Sequence, residues 1–270
     1  MSAEGAMTRV LITVMTYPHP SEGHKELVCT AGITDSGEWV RLYPIDYRYR
    51  QKEQQFHKYQ WVEVFLEPRG HGNDRRKESR RPDLETLRII GAPIPPQKKT
   101  WLKRREIVDR LPRMTIAELE AAYKKDATSL GIVRPERVLD IKIEHADREW
   151  KPEWQVLFQQ MTLFGPPQKP LRKLPFKWSY VFESGGKEYT RMIEDWELGI
   201  LFLNEAARLG DEEKAAQSVK NKYLNEICAP ERDVQFYMGT VFPYNVWIVL
   251  GCFYPVKSLS GPQAEQLTLF

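Results

Sequence analysis

Hydrophobic residues in the first half of the chain fall in short, β-branched bursts divided by polar turns, a pattern of strands rather than helices. Arg9 to Thr16 (RVLITVMT), Glu26 to Ile33, Glu38 to Pro44, Trp61 to Leu66 (WVEVFL) and Leu84 to Ile90 read as strands, behind a frayed start at residues 1–8. Asp35-Ser36-Gly37 is hairpin punctuation between the second and third of them. Short strands with tight turns predict a small antiparallel sheet or barrel. The period changes at Thr115 to Leu130. There Thr115 faces Glu118 as a capping box and Gly131 closes the helix. Arg137 to Glu144 (RVLDIKIE) returns to strand.

A break at residues 165–170 (GPPQKP) reads as a linker between lobes. Beyond it, Phe176 to Glu183 and Lys187 to Met192 form a hairpin across Ser184-Gly185-Gly186. A helix follows from about Ile193 to Leu209, ended by Gly210, and Asp211 caps another that runs to about Cys228 before Pro230. Val234 to Gly239 and Trp247 to Phe253 close the lobe as strands, in the order ββααββ. The expected fold class is α+β in two lobes. Residues 1–164 form a basic, β-rich, barrel-like lobe, 171–256 form a mixed sheet with two helices, and 257–270 form a flexible tail.

With 270 residues, 41% hydrophobic and 29% charged, the chain is long enough for a real core. Cys29, Cys228 and Cys252 form no CxxC pair, and an odd number argues against a disulfide framework. Apolar neighbours make Cys252 a buried thiol of a reducing compartment. There is no charged-then-apolar leader and no run near 18 apolar residues, so the expected location is cytoplasmic with no membrane partner.

The last five residues are Gln266-Leu267-Thr268-Leu269-Phe270. This pentapeptide resembles the motif by which client proteins bind the bacterial DNA sliding clamp, glutamine–leucine–any–leucine–phenylalanine. Only these five residues carry the resemblance. It implies that Gln266 bonds at the edge of an apolar groove on the clamp, Leu267 fills a first pocket, and Leu269 and Phe270 share a deeper one. At average residue usage, four such fixed residues occur at a chosen position on the order of once in 10⁵. Free exposure of these side chains forgoes about 1.5–3 kcal/mol each, which a partner groove recovers. The bland alternative is a terminal strand folded back on the body. A second match, Gln160-Met161-Thr162-Leu163-Phe164, follows Trp154, Val156, Leu157 and Phe158 and reads first as connector or core.

The net charge of +3 is small, but its distribution is uneven. Arg69, Arg75, Arg76, Lys77, Arg80 and Arg81 crowd thirteen residues, and Lys98, Lys99, Lys103, Arg104 and Arg105 surround Trp101. Such clusters make a local positive field that suits phosphates, and Trp101, Tyr47, Tyr49 or His71 could stack on bases. A solvated loop is the plain alternative. Aromatic residues on the strands (Trp39, Tyr43, Trp178, Tyr180, Phe236, Tyr237, Trp247, Phe253, Tyr254) read as core before platform.

Catalytic signals are thin. No phosphate loop, dinucleotide fingerprint, nucleophile elbow or paired zinc spacing occurs. Asp83 after Pro82, then Asp140 and Lys142 on a strand, loosely imitate a nuclease carboxylate–lysine pattern, which would need Mg²⁺. His19, His24 and Glu26 lie in a loop entering a strand, with Tyr17 and Cys29 nearby, where a His/Glu pair suits acid–base work and a polar turn is the plain alternative. Asp195 and Glu197 flank Trp196 on a predicted helix, two residues apart, and read as first-turn charges. The leading expectation is a DNA replication or repair accessory factor that the clamp recruits and that touches DNA through its basic lobe. The alternatives are a clamp-recruited metal-dependent nuclease or nucleic-acid-modifying enzyme, and a defence or mobile-element protein that senses the clamp.

Overall fold

The computed structural model describes residues 5–21, 25–68, 74–97, 99–154, 171–241 and 244–257. The first lobe contains β1 (Ala6–Met15), β2 (His19–Ser21), β3 (Lys25–Leu27), β4 (Thr30–Thr34), β5 (Trp39–Leu42), β6 (Trp61–Leu66), β7 (Ser79–Arg80) and β8 (Pro82–Ile90). Six of these make one sheet in the order β7-β5-β4-β1-β6-β8, curled into a half-barrel, while β2 and β3 form a small separate hairpin. Pairing is antiparallel throughout the large sheet except at its β5–β7 edge. Strand β1 starts at Ala6, opposite Leu66, so residues 6–8, expected to fray, are part of the sheet.

The β1–β4 register shifts between Ile12 and Val14. Val10 and Ile12 therefore pack inside the half-barrel, and Val14 joins a second cluster with Ala31 and Ile33. A bulge re-aims side chains in this way by inserting one residue on one strand. Gly32 permits the close approach of β4, because a Cβ there would lie 2.3 Å from the Leu11 carbonyl oxygen.

The first lobe ends in α1 (Leu102–Val108), and the second holds α2 (Ile116–Asp126), β9 (Leu130–Val133), β10 (Arg137–His145), β11 (Phe176–Ser184), β12 (Lys187–Met192), α3 (Trp196–Leu209), α4 (Glu212–Asn221), β13 (Gln235–Val241) and β14 (Val246–Phe253). After α4 the helix widens into a π turn over Lys222–Ile227. The expected capping box is present: the Glu118 N–H donates to Thr115 Oγ1 and the Thr115 N–H donates to Glu118 Oε2. Asp211 caps α4 by accepting from the Lys214 N–H at 3.0 Å.

Strands β10-β11-β12 form one sheet and β14-β13-β9 another. The ββααββ order holds over residues 176–253, but the lobe is larger than the linker at 165–170 implied. Strand β9 pairs with β13 and β10 pairs with β11, so α2, β9 and β10 belong to the second lobe. The division falls near Arg110 to Pro112. The lobes share a core, in which Val14, Ala31 and Ile33 meet Leu130, Ile132, Tyr237, Ile248 and Phe253. Among the described residues no helix is long and apolar enough to cross a membrane.

Candidate functional site

The first basic stretch is split by the turn at Lys77 and Glu78 that leads into β7, closed by the Ser79 N–H donating to the Arg76 carbonyl at 3.1 Å. Arg75, Lys77 and Arg81 face outward, while Arg76 and Glu78 turn inward. Arg76 donates to Asp74 Oδ2 at 2.7 Å and to the Thr240 carbonyl at 2.8 Å, clamping the segment to β13. Burial raises the Asp74 carboxyl, and hydrogen bonds from Arg76 and Ser79 overcome this and hold it below its ordinary value. Lys77 pairs with Asp126 at 2.5 Å and Arg81 with Glu67 at 3.6 Å. Half-buried Arg80 donates to the Lys77 and Ser79 carbonyls. Of the stretch predicted to meet nucleic acid, Arg76 is a structural residue, and the outward set is Arg75, Lys77 and Arg81.

Beneath this segment lies Arg41 of β5, only 1% exposed. Its Nη1 donates to Cys29 Sγ at 3.0 Å and its Nη2 to the Ser129 carbonyl at 3.1 Å. Glu78 Oε2 accepts from the Ser129 N–H and hydroxyl at 2.9 and 2.7 Å. A buried guanidinium needs compensation of this kind, because an uncompensated charge away from water is strongly disfavoured. Above the network, a cleft of about 1250 Å³ separates the outer sheet face from α2 and β9. Arg9, Lys77, Arg80 and Lys125 line it among Glu63, Glu67 and Asp126.

The second basic cluster is placed differently from its sequence reading. Trp101 is 5% exposed and packs against Tyr59, Phe253 and Tyr254, so it is a core residue and offers no face to a base. Arg104 folds over the same group, 3.8 Å from the Tyr59 ring centroid, with Nε donating to the Ile94 carbonyl. Lys99 is exposed, and Lys98 lies outside the described residues.

The acid–base and nuclease candidates do not converge. Glu26 is buried and held by Arg48 through contacts of 3.0 and 2.9 Å, with the Tyr49 hydroxyl donating at 3.4 Å. Burial raises its carboxyl against the pull of Arg48. This is a structural ion pair under the β2–β3 hairpin, and His24 lies outside the described residues. Asp140 is paired with Lys220 at 2.7 Å on the lobe surface, which lowers its carboxyl, and Lys142 is exposed. Among the described residues no three His, Cys, Asp or Glu side chains stand close enough to hold a metal ion. Residues 160–164, and Gln266, Leu267, Leu269 and Phe270, also lie outside the described residues.

The carboxylates that do converge are Asp195 and Glu197. Asp195 caps α3, accepting from the Glu197 N–H at 3.0 Å. Lys58, from the first lobe, donates to Asp195 Oδ1 at 2.6 Å and to Glu197 Oε2 at 3.0 Å. Asp195 is 2% exposed, and burial pushes its carboxyl up to about 6 against the pull of Lys58. Burial opposes the Lys58 ammonium, and the two carboxylates more than offset that and raise it. This bridge joins the lobes across 137 residues of sequence. Sequence spacing separated the two acids, whereas the cap position turns both toward one lysine.

Two domain families cover nearly the whole chain. Residues 6–110 match the domain of unknown function DUF8758, and residues 112–270 match the domain of unknown function DUF8757. Their junction coincides with the division between the sheets. No curated protein matches the chain. Among solved structures, one described as "Structure of murine DNA binding protein bound with ds DNA" aligns with 96% of this chain and 98% of its own at 8% identity and a TM-score of 0.29. Another, described as "Molecular basis for abrogation of activation of pro-inflammatory cytokines", aligns with 94% of this chain and 96% of its own at 10% identity and a TM-score of 0.30. Likeness at that level bears on neither fold nor function. The match over residues 112–270 spans more than half of the sequence, and the chain belongs to the family of domain of unknown function DUF8757.

Proposed function

We propose that this chain is a DNA-associated factor recruited by a bacterial sliding clamp through Gln266 to Phe270, with the outward residues Arg75, Lys77 and Arg81 meeting the phosphate backbone. The pentapeptide is the observation that carries the reading. Residues 258–265 (SLSGPQAE) give it a Gly-, Ser- and Pro-containing tether beyond Lys257, and such composition suits presentation of a peptide to a groove. Burying two leucines and a phenylalanine supplies about 5–9 kcal/mol before ordering costs. Reaching a micromolar affinity, about −8 kcal/mol, takes the polar contacts of Gln266 and the peptide backbone as well. The exposed half of the basic segment supports the DNA side of the reading, since outward Arg and Lys release counterions from phosphates.

The test uses a fluorescent peptide of residues 262–270 bound to purified clamp. The full chain is expected to displace it at micromolar concentration. The double substitution Leu267→Ala and Phe270→Ala is expected to abolish displacement. Equal displacement by both proteins would refute the assignment.

A further inference from the structure

Nearly every Phe, Trp and Tyr side chain among the described residues is buried or half-buried. Among the described residues only two Phe, Trp or Tyr side chains are exposed, Tyr244 at 78% and Tyr43 at 39%. Tyr43 borders the first basic segment, and Tyr244 lies four residues beyond Thr240, which that segment contacts. The Tyr43 N–H donates to the Arg80 carbonyl at 3.1 Å, which sets Tyr43 beside β7. Its hydroxyl lies within electrostatic reach of Arg76 and Asp74. On the other side, Arg76 donates to the carbonyl of Thr240, at the end of β13. The chain then turns, and Tyr244 and the 54%-exposed Val246 occupy the β13–β14 hairpin tip. Arg75, adjacent to that clamp, is exposed and forms no ion pair among the described residues.

We infer that Tyr244 and Tyr43, on either side of the Arg75–Arg81 segment, form a binding surface for single-stranded nucleic acid, with unpaired bases on the tyrosine rings and the backbone along the arginines. An exposed aromatic at a turn costs solvation and adds nothing to the fold, so a partner with a flat apolar face suits it. Charge complementarity selects the partner: the cations beside the rings match a polyanion whose bases are free to stack. Duplex DNA offers phosphates to the arginines but keeps its base faces paired and stacked. Stacking on aromatic side chains is the usual device of proteins that bind single strands without strong sequence preference. The inference rests on the reading that this chain works on DNA, and it names the form of DNA.

The experiment measures fluorescence anisotropy of the full chain with a labelled thymidine 20-mer and with a duplex of equal length, over a range of salt concentrations. The wild type is expected to favour the single strand. Tyr244→Ala is expected to weaken single-strand binding about tenfold, the scale of one lost stacking contact, with little change in salt slope. Tyr244→Phe is expected to retain most of it, and Arg75→Glu to flatten the salt slope. Clamp displacement is measured on the same preparations. If clamp binding persists while Tyr244→Ala binds the single strand like the wild type, the stacking surface is overturned and recruitment stands. If Tyr244→Ala binds DNA normally but loses clamp binding, the hairpin tip docks a protein, which also overturns the inference. Equal losses on single strand and duplex would do the same.

Discussion

Replacing Lys58 by methionine keeps the apolar stem at the lobe interface and removes only the cation. The structure sets the scale of the loss. Lys58 Nζ lies 2.6 Å from one carboxylate oxygen and 3.0 Å from another, and Asp195 is buried. At an effective dielectric of roughly 20, the closer contact alone is worth about 6 kcal/mol of Coulomb energy, part of which offsets desolvation. Removing one partner of such a pair costs about 3–5 kcal/mol, because the other charge stays buried. For a chain of this size that corresponds to a fall in Tm of about 10 °C.

The pH dependence makes the prediction specific. The Asp195 carboxyl is pushed from 3.8 up to about 6. The folded state therefore holds this proton at pH values where the unfolded chain has lost it. Its contribution to stability grows as pH falls from about 6 toward 4 and declines as pH rises. Without Lys58 the carboxyl titrates at still higher pH, and the buried acid escapes its charge by taking up a proton. Urea denaturation followed by tryptophan fluorescence should show a larger deficit for Lys58→Met at pH 8 than at pH 5. A deficit under about 1 kcal/mol, or one no smaller at pH 5, would refute the interlobe bridge as an energetic link.

Other outcomes follow from the same geometry. Gly199→Ala would place a Cβ 2.3 Å from Tyr17 Cδ2, so α3 must shift, and a loss of about 1–3 kcal/mol is expected in thermal melts. Combined Arg75→Glu and Arg81→Glu should weaken DNA binding and reduce its salt slope, with Tm nearly unchanged because both side chains are exposed. Unaltered DNA affinity would remove that segment from the interface.

Most strands and helices were legible because each carries its own periodicity. WVEVFL alternates only in part, yet its β-branched and aromatic content marks a strand, and residues 61–66 are strand with every second side chain buried. Caps at Thr115 and Asp211 sit within three residues of their partners, so local sequence suffices. Features set by long-range pairing were not legible. The short LGIV strand is recognisable only through its partner β13, and without it the lobe border appears at the proline-rich segment instead of near Arg110. The KRRE run of α1 looked like part of a basic surface loop, although Trp101 at its start adopts a left-handed backbone (φ 59°) and enters the core. Charge counting could not separate Arg76 from Arg75, since only the contacts of the folded segment with Asp74 and Thr240 decide which turns inward. Lys58 gave no sign of its role, because its two partners lie 137 and 139 residues away.

Recruitment is tested most directly by calorimetric titration of purified sliding clamp with the full chain and with a version ending at Glu265. On this account the tail serves the clamp and not the core, so both proteins should melt at nearly the same temperature. The account predicts micromolar or tighter binding by the full chain and none by the shortened one. Equal binding by both, or none by either, would contradict it.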